Sequence, residues 1–337
     1  MERYLLGCDW GTSSFRMRLF DISAQHAIAE ATSEEGIASM HKSWQNLDRL
    51  NTSITKVDFF RDYLKKEIDV LSDQYSLNLG DVTIVISGMA SSSIGMKDVP
   101  YATLPFALDG SDTAIKLLPR DNTFPHEIIL ISGVRIENDV MRGEETQLIG
   151  LLALLEQSDR KLKEGILIFP GTHSKHIHIS NDRLIKFHTF MTGELFDLVS
   201  NHSVLKDSIQ KDEANKLSEA SADAFKLGVQ KSKEFGILNR LFTVRTNQLF
   251  DKLDKIQNTF YLSGLLIGEE MSYLLKDDKV PLALCSASNL ATFYKLAIEE
   301  LNLSERTTII SADLVDKAAL AGQYLIFQKH ILNKQVQ

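Results

Sequence analysis

Two glycine-threonine turns, Gly11-Thr12 and Gly171-Thr172, stand 160 positions apart and restrict this chain more than any other feature. Each interrupts a pair of strand-like runs. The apolar run from Tyr4 enters the first turn, and Phe15, Met17 and Leu19 leave it in alternation with Arg16 and Arg18. Gly165 to Phe169 enters the second, Lys175 to Ile179 leaves it, and a further strand follows over Arg183 to Phe190. Val82 to Ile86 is an apolar run of the kind buried on both sheet faces, ending in Ser87-Gly88, and its later counterpart Leu282 to Leu284 ends in Cys285-Ser286. The recurrence predicts two similar halves, each with a glycine hairpin.

The turns carry the chemistry. Gly11 lets a ligand approach the backbone, Thr12, Ser13 and Ser14 add hydroxyls, and successive turn amides form an anion-binding nest. Asp9 is out of place in that setting, because a carboxylate repels phosphate unless a divalent cation stands between them; it predicts Mg²⁺ with waters retained on the metal. Read alone, the stretch is an ordinary polar hairpin tip. The partner turn, with His173 inside it as a phosphate donor, changes that reading. Ser87 and Gly88 close a buried strand, and Tyr101 lies in an extended segment beside them. Ligands gather at the carboxyl ends of such strands.

With 337 residues, 44% hydrophobic and 24% charged, the chain can bury a large core in two lobes, expected over 1–150 and 151–337. A net charge of −8 without a basic block argues against nucleic-acid partners. No signal-like start and no run of about eighteen apolar residues is present, so a cytoplasmic protein off the membrane is expected. Cys8 and Cys285 read as buried thiols without a disulfide. His176 and His178 share a strand face, but no third ligand accompanies them, and a solvated face accounts for them better than zinc.

Among the helices, Val57, Phe60, Leu64, Ile68 and Leu71 form a core stripe. Asn138 or Asp139 is expected to cap a helical turn ahead of Glu144 and Glu145, and Thr192 to cap another helix. Lys211 to Phe250 reads as helices burying Phe225, Leu227, Leu238, Leu241 and Phe242. Gly264 and Gly268 share a helix face that admits a helix, strand or ligand closely. A helix is expected from Ser288 to Leu301.

In order along the chain stand Asp9-Trp10-Gly11-Thr12, Ser87-Gly88-Met89, Pro100-Tyr101, Asp139-Val140-Met141-Arg142-Gly143-Glu144-Glu145-Thr146-Gln147, Pro170-Gly171-Thr172-His173-Ser174-Lys175 and Thr189 to Phe196. Together they resemble the 2-keto-3-deoxygalactonate kinase family of the actin, hexokinase and Hsp70 superfamily. His176 and Met96 stand where that pattern has Trp, and Cys285-Ser286-Ala287-Ser288 replaces a glycine-rich turn.

The resemblance implies an α/β, two-lobed actin/hexokinase-like (ribonuclease H-like) fold, each lobe a mixed sheet with flanking helices. It implies ATP-dependent phosphorylation of a sugar acid at its 6-hydroxyl. Asp9 would then hold Mg²⁺, while Gly11, Thr12, Ser13, Gly171, Thr172, His173, Ser174 and Lys175 meet the phosphates. Asp139 would be the base, with Glu144 the runner-up. Arg16 and Arg142 are the candidates for the carboxylate, with a plain surface role the alternative for Arg16, beside Ser87, Gly88 and Tyr101 expected on the substrate side; Gly264 and Ser286 are expected toward the nucleotide. A kinase of another sugar or sugar acid, a non-catalytic ATP sensor and a phosphohydrolase are the competing readings. The acidic cluster at 139–145 favours the kinase, because a sensor needs no proton acceptor.

Overall fold

The computed structural model describes residues 3–49, 54–211, 217–276, 279–287 and 289–335. Ser288, expected to begin a helix, and positions 212–216 of the expected helical stretch lie outside the described residues. The chain divides into two compact units, Met1–Leu162 with Asn181–Lys186 and Leu314–Gln337, and Lys163–Ser180 with Phe187–Asp313. The first unit is therefore discontinuous in sequence, unlike a division at 150/151.

In the first unit, β1 (Tyr4–Trp10), β2 (Phe15–Asp21) and β3 (His26–Ser33) form an antiparallel meander. Helices α1 (Ile37–Asp48) and α2 (Lys56–Tyr75) follow. Next come β4 (Ile84–Gly88), the short β5 (Ala102–Thr103) and β6 (Phe106–Ala107), β7 (Ile115–Leu118), β8 (Ile128–Ile131), β9 (Val134–Arg135), β10 (Val140–Met141) and α3 (Glu144–Gln157). The main sheet runs β3-β2-β1-β4-β8-β7, with β4 parallel to both β1 and β8. The fully buried faces of β4 and β8 explain their unbroken apolar sequences. The stripe of α2 buries Phe60, Leu64, Ile68 and Leu71 in the cluster that holds Trp10 and Phe15, each large side chain contributing about 1.5–3 kcal/mol relative to exposure. The Thr55 hydroxyl caps α2 by accepting from the Asp58 amide at 3.2 Å. A second, small sheet, β10-β9-β5, occupies the stretch where a capped helical turn was expected. Its tight turn, closed by Ile136 N donating to Asp139 O at 2.9 Å, replaces that turn.

In the second unit, β11 (Glu164–Phe169), β12 (Ser174–Ser180) and β13 (Arg183–Phe190) repeat the meander. They lead into α4 (Thr192–His202), α5 (Glu219–Ser232), α6 (Ile237–Leu249), α7 (Lys255–Ser272), β14 (Leu282–Leu284), α8 (Leu290–Glu300) and β15 (Thr307–Ile309). Strands β11, β14 and β15 are parallel, giving the order β15-β14-β11-β12-β13. The tip of the β12–β13 hairpin belongs to the first unit, where Arg183 and Leu184 pair with β6. Thr192 does not cap α4, since its hydroxyl donates to Glu270 instead. On α5 and α6, Phe225 is buried as expected, but Leu227, Leu238 and Phe242 are exposed, Leu238 at 86%. The apolar periodicity of α6 thus marks an outward face as well as a core face.

The last helix, α9 (Ala312–Gln335), closes the first unit from its far end in sequence. Its Gln323 side chain donates to Cys8 O at 2.9 Å and to Ser87 Oγ at 2.8 Å. A Cβ on Gly150 of α3 would come within 1.9 Å of Ala318 O, and one on Gly322 within 1.9 Å of Thr146 O, so glycines let α3 and α9 cross at backbone distance. Cys8 and Cys285 are buried and free. No helix among the described residues is long and apolar enough to cross a membrane. Counted in chain order within each unit, the first-unit sheet reads third, second, first, fourth, eighth strand and the second-unit sheet third, second, first, fourth, fifth, so the two orders agree once the intervening β5, β6 and β7 are set aside, with helices flanking. This is the ribonuclease H-like order, and its duplication defines a two-lobed α/β fold of the actin/hexokinase type.

Candidate active site

In the first unit the hairpin turn is built by what packs behind it. Gly11 N donates to Ser14 O at 2.9 Å, while the Gly11 and Thr12 carbonyls accept from Ile37 and Ala38, the first amides of α1. Gly36 makes this approach possible, because a Cβ there would lie 2.3 Å from Thr12 O. The carbonyls of the turn are thus consumed behind it, leaving the exposed Thr12 and Ser13 with amides that have no acceptor among the described residues. An anion is the complement of that arrangement.

Asp9 sits at the end of β1, opposite Arg16 and beside Ser87. Gly88 and Gly143 have φ of +87° and +105° and crowd its carboxylate, with a Cβ on Gly88 3.4 Å from Asp9 Oδ1. Any other residue at either position would be strained and would fill the space in front of Asp9. Burial raises the Asp9 pKa, Arg16 pulls it back, the nearby Glu144 carboxylate raises it again, and a Gln147 hydrogen bond and Arg18 lower it. Next along α3, burial and then Glu144 push the Glu145 carboxyl up to about 8, against hydrogen bonds from Thr146 Oγ1 at 2.9 Å and Gly143 N at 2.8 Å.

The remaining substrate-side residues take different places. Ser87 is buried and accepts from Gln323, so it serves the sheet–helix junction. Arg16 pairs with Asp316 at 2.9 Å and more loosely with Glu30. Arg142 has a buried side chain that donates to Ser91 O at 2.6 Å, Ser91 Oγ at 2.8 Å and Val99 O at 3.3 Å, and lies 3.9 Å from the centre of the Tyr101 ring. Its two terminal nitrogens clamp two loops, while its buried Nε has no partner among the described residues. Asp139 is half-buried in the β9–β10 turn, with Oδ1 accepting from Val140 N at 2.7 Å.

The second unit repeats the first turn's construction. Glu194 N, at the start of α4, donates to Thr172 O at 3.0 Å, and a Cβ on Gly193 would lie 2.7 Å from Gly171 O. Thr172 and His173 are exposed at the tip, with His173 Nε2 paired to Glu194. Lys175 is buried at 4% exposure and donates to His173 O at 3.2 Å, which sets a cation beneath the turn rather than in solvent.

Beneath the same turn lies a buried polar chain. Ser174 Oγ bonds Tyr294 Oη at 2.9 Å, Tyr294 Oη donates to Glu270 Oε2 at 2.7 Å, and Glu270 Oε1 meets His176 Nε2 at 2.9 Å. His176 is therefore a core residue at 0% exposure, not part of a solvated face. Sequence patterning missed Glu270; its one signal was a pair of acids inside an otherwise apolar helix run. A cavity of about 250 Å³ opens beside Gly171 and Gly193, walled by Phe196, Phe260, Phe293 and Tyr294 with Lys211 at its edge. Gly264 faces away from a ligand, since a Cβ there would be 2.1 Å from Phe225 O and α5 fills the space. Ser286 is buried just past β14.

Two lobes of this order, each presenting an amide-rich glycine-threonine turn, define a phosphate-handling protein of the actin/hexokinase type. Residues 9–324 match the model of the 2-keto-3-deoxy-galactonokinase family, and the chain belongs to that family. It is 33% identical over 95% of its length, and 96% of the relative's, to "Probable 2-dehydro-3-deoxygalactonokinase DgoK1" of Rhizobium meliloti. It is 29% identical to the 2-dehydro-3-deoxygalactonokinase of Escherichia coli, covering 81% of this chain and 80% of that one. A crystal structure of a "putative 2-dehydro-3-deoxygalactonokinase protein" from Sinorhizobium meliloti superposes with a TM-score of 0.73 at 29% identity, over 95% of this chain and 96% of that one.

Proposed function

We propose that this protein is a cytoplasmic kinase that transfers the γ-phosphoryl group of ATP to the 6-hydroxyl of 2-keto-3-deoxygalactonate. The observation that carries the reading is the Asp9 carboxylate held behind two positive-φ glycines and next to Glu144, in the same unit as an amide-rich turn. The family and the names of the relatives support the choice of substrate.

The N-terminal lobe carries the sugar-acid side and the first phosphate turn; the C-terminal lobe carries the second turn and the nucleoside. Asp9, with Glu144 and Gln147 nearby, supplies hard oxygen donors that suit Mg²⁺, an ion satisfied by one or two carboxylates plus water and phosphate. When bound, the ion neutralises phosphate charge. Amides and hydroxyls of Gly11, Thr12 and Ser13, and of Gly171, Thr172 and Ser174, hold phosphate oxygens, with Lys175 adding charge from below. The aromatic cavity of the second unit takes the base. Asp139 accepts the proton of the 6-hydroxyl as that oxygen bonds to the γ-phosphorus and the bond to the bridging oxygen of ADP breaks. Glu144 is the alternative acceptor.

ADP release measured against a panel of 2-keto-3-deoxy sugar acids with ATP and Mg²⁺ tests the reading. Sugar-dependent ADP with 2-keto-3-deoxygalactonate preferred is expected; no sugar-dependent ADP from any member would overturn it, and preference for another acid would move the substrate.

A further inference from the structure

The small sheet β10-β9-β5 presents two faces of opposite character. Parallel pairing sets Ala102 beside Val134 and Thr103 beside Arg135; antiparallel pairing sets Met141 beside Val134 and Val140 beside Arg135. The row Ala102, Val134, Met141 turns inward, with Val134 at 0% and Met141 at 2% exposure. The row Thr103, Arg135, Val140 turns outward, and all three residues are exposed. A cavity of about 480 Å³ opens over it, lined by Thr103, Leu104, Arg135, Ile136 and Glu137.

Arg135 has no hydrogen-bond or ion-pair partner among the described residues, in contrast to Arg16, Arg18 and Arg142 of the same unit. An unpaired guanidinium in a cavity is matched by a planar carboxylate, which it can grip through two parallel N–H donors. Glu137, lining the same cavity, accepts hydrogen bonds and suits hydroxyls rather than a second acid. A cation and an acceptor in one cavity complement a hydroxylated acid. The turn that follows Arg135 also carries Asp139, so the anion ligand and the proposed base stand four residues apart on one short hairpin.

Resting on the kinase reading, we infer that Arg135, assisted by the Thr103 hydroxyl, binds the C1 carboxylate of the sugar acid, the role that sequence reading gave to Arg16 and Arg142. The test pairs kinetics with equilibrium binding. Arg135→Met should raise KM for the sugar acid by about 10- to 100-fold, the range for losing a charge-assisted hydrogen-bonded pair. KM for ATP should stay within about twofold in the same protein, which also reports that the variant is folded. Arg135→Lys should fall between the two, since it keeps the charge and loses the fork. Calorimetric titration of the sugar acid without ATP should show binding to the wild type and its loss in Arg135→Met. Equal binding by both proteins would overturn the assignment while leaving the kinase reading intact. A wild type that neither binds nor phosphorylates any 2-keto sugar acid would remove the kinase reading and this inference together. An unchanged sugar KM with reduced kcat would also overturn it, since an anchor for an unreacting carboxylate acts on binding.

Discussion

Glu145 carries its charge at a cost that depends on pH. Its folded pKa of about 8 lies above the ordinary value of 4.5, so the folded state holds a proton that the unfolded state releases. Stability contributed by this group is fully present below the unfolded pKa and is lost as pH rises from about 4.5 to 8, with a slope of up to about 1.4 kcal/mol per pH unit. Urea unfolding across that window should show Glu145→Gln with a flatter dependence than wild type. Parallel curves would mean that another group governs the slope. Asp139 makes a different kind of prediction, because its carboxylate is proposed to act on substrate. Asp139→Asn should lower kcat about 10²- to 10⁴-fold with nucleotide binding kept; a normal rate would transfer the base to Glu144. At this scale the sequence was partly legible. Asp9, the two turns and the acidic cluster announced themselves by residue type and position. Which arginine is spent on backbone carbonyls did not, because both terminal nitrogens of Arg142 are held by Ser91 and Val99, residues some forty to fifty positions away that no local spacing reveals.

Elements were more legible where burial is symmetric. Val82 to Ile86 read as a buried strand because an unbroken apolar run leaves no face for solvent, and β4 is fully buried. The short strands β5, β9 and β10 escaped notice, since two residues carry no periodicity. On α6 the apolar residues were visible but their direction was not. Glycine pairs proved to be packing devices: Gly264 admits α5, and Gly150 with Gly322 admits the crossing of α3 and α9. Since the clashing atoms are backbone, Gly150→Ala and Gly264→Ala should each destabilise by about 1–3 kcal/mol, read as a lower urea midpoint. An unchanged midpoint in either variant would mean that the helices separate without penalty. The polar chain beneath the second turn should respond differently. Tyr294→Phe removes the hydroxyl that joins Ser174 to Glu270 and should raise KM for ATP by several-fold, with KM for the sugar acid unmoved. A KM for ATP equal to wild type would show that the chain does not hold the turn.

The whole molecule is organised by a unit that begins and ends the chain. A repeat of two hairpins was readable from the sequence, but the return of α9 to the first unit was not, because an amphipathic closing helix fits any apolar surface. Its Gln323 supplies donors to β1 and β4, and its glycine interlocks with α3. Deleting 314–337 should therefore unfold the first unit selectively, seen in limited proteolysis as cleavage within 3–162 while 187–313 stays protected. Protection of both regions would show that α9 is dispensable. The same geometry sets a timetable during synthesis. Residues up to 162 leave the ribosome first, yet the helix that covers Cys8 and Ser87 is made roughly 10–30 s later at ordinary elongation rates. The second unit can close as soon as residue 313 has emerged. The half of the protein translated first is thus the half completed last, and through that interval Gly7, Cys8 O and Ser87 Oγ of its newborn sheet wait without the helix that packs on them.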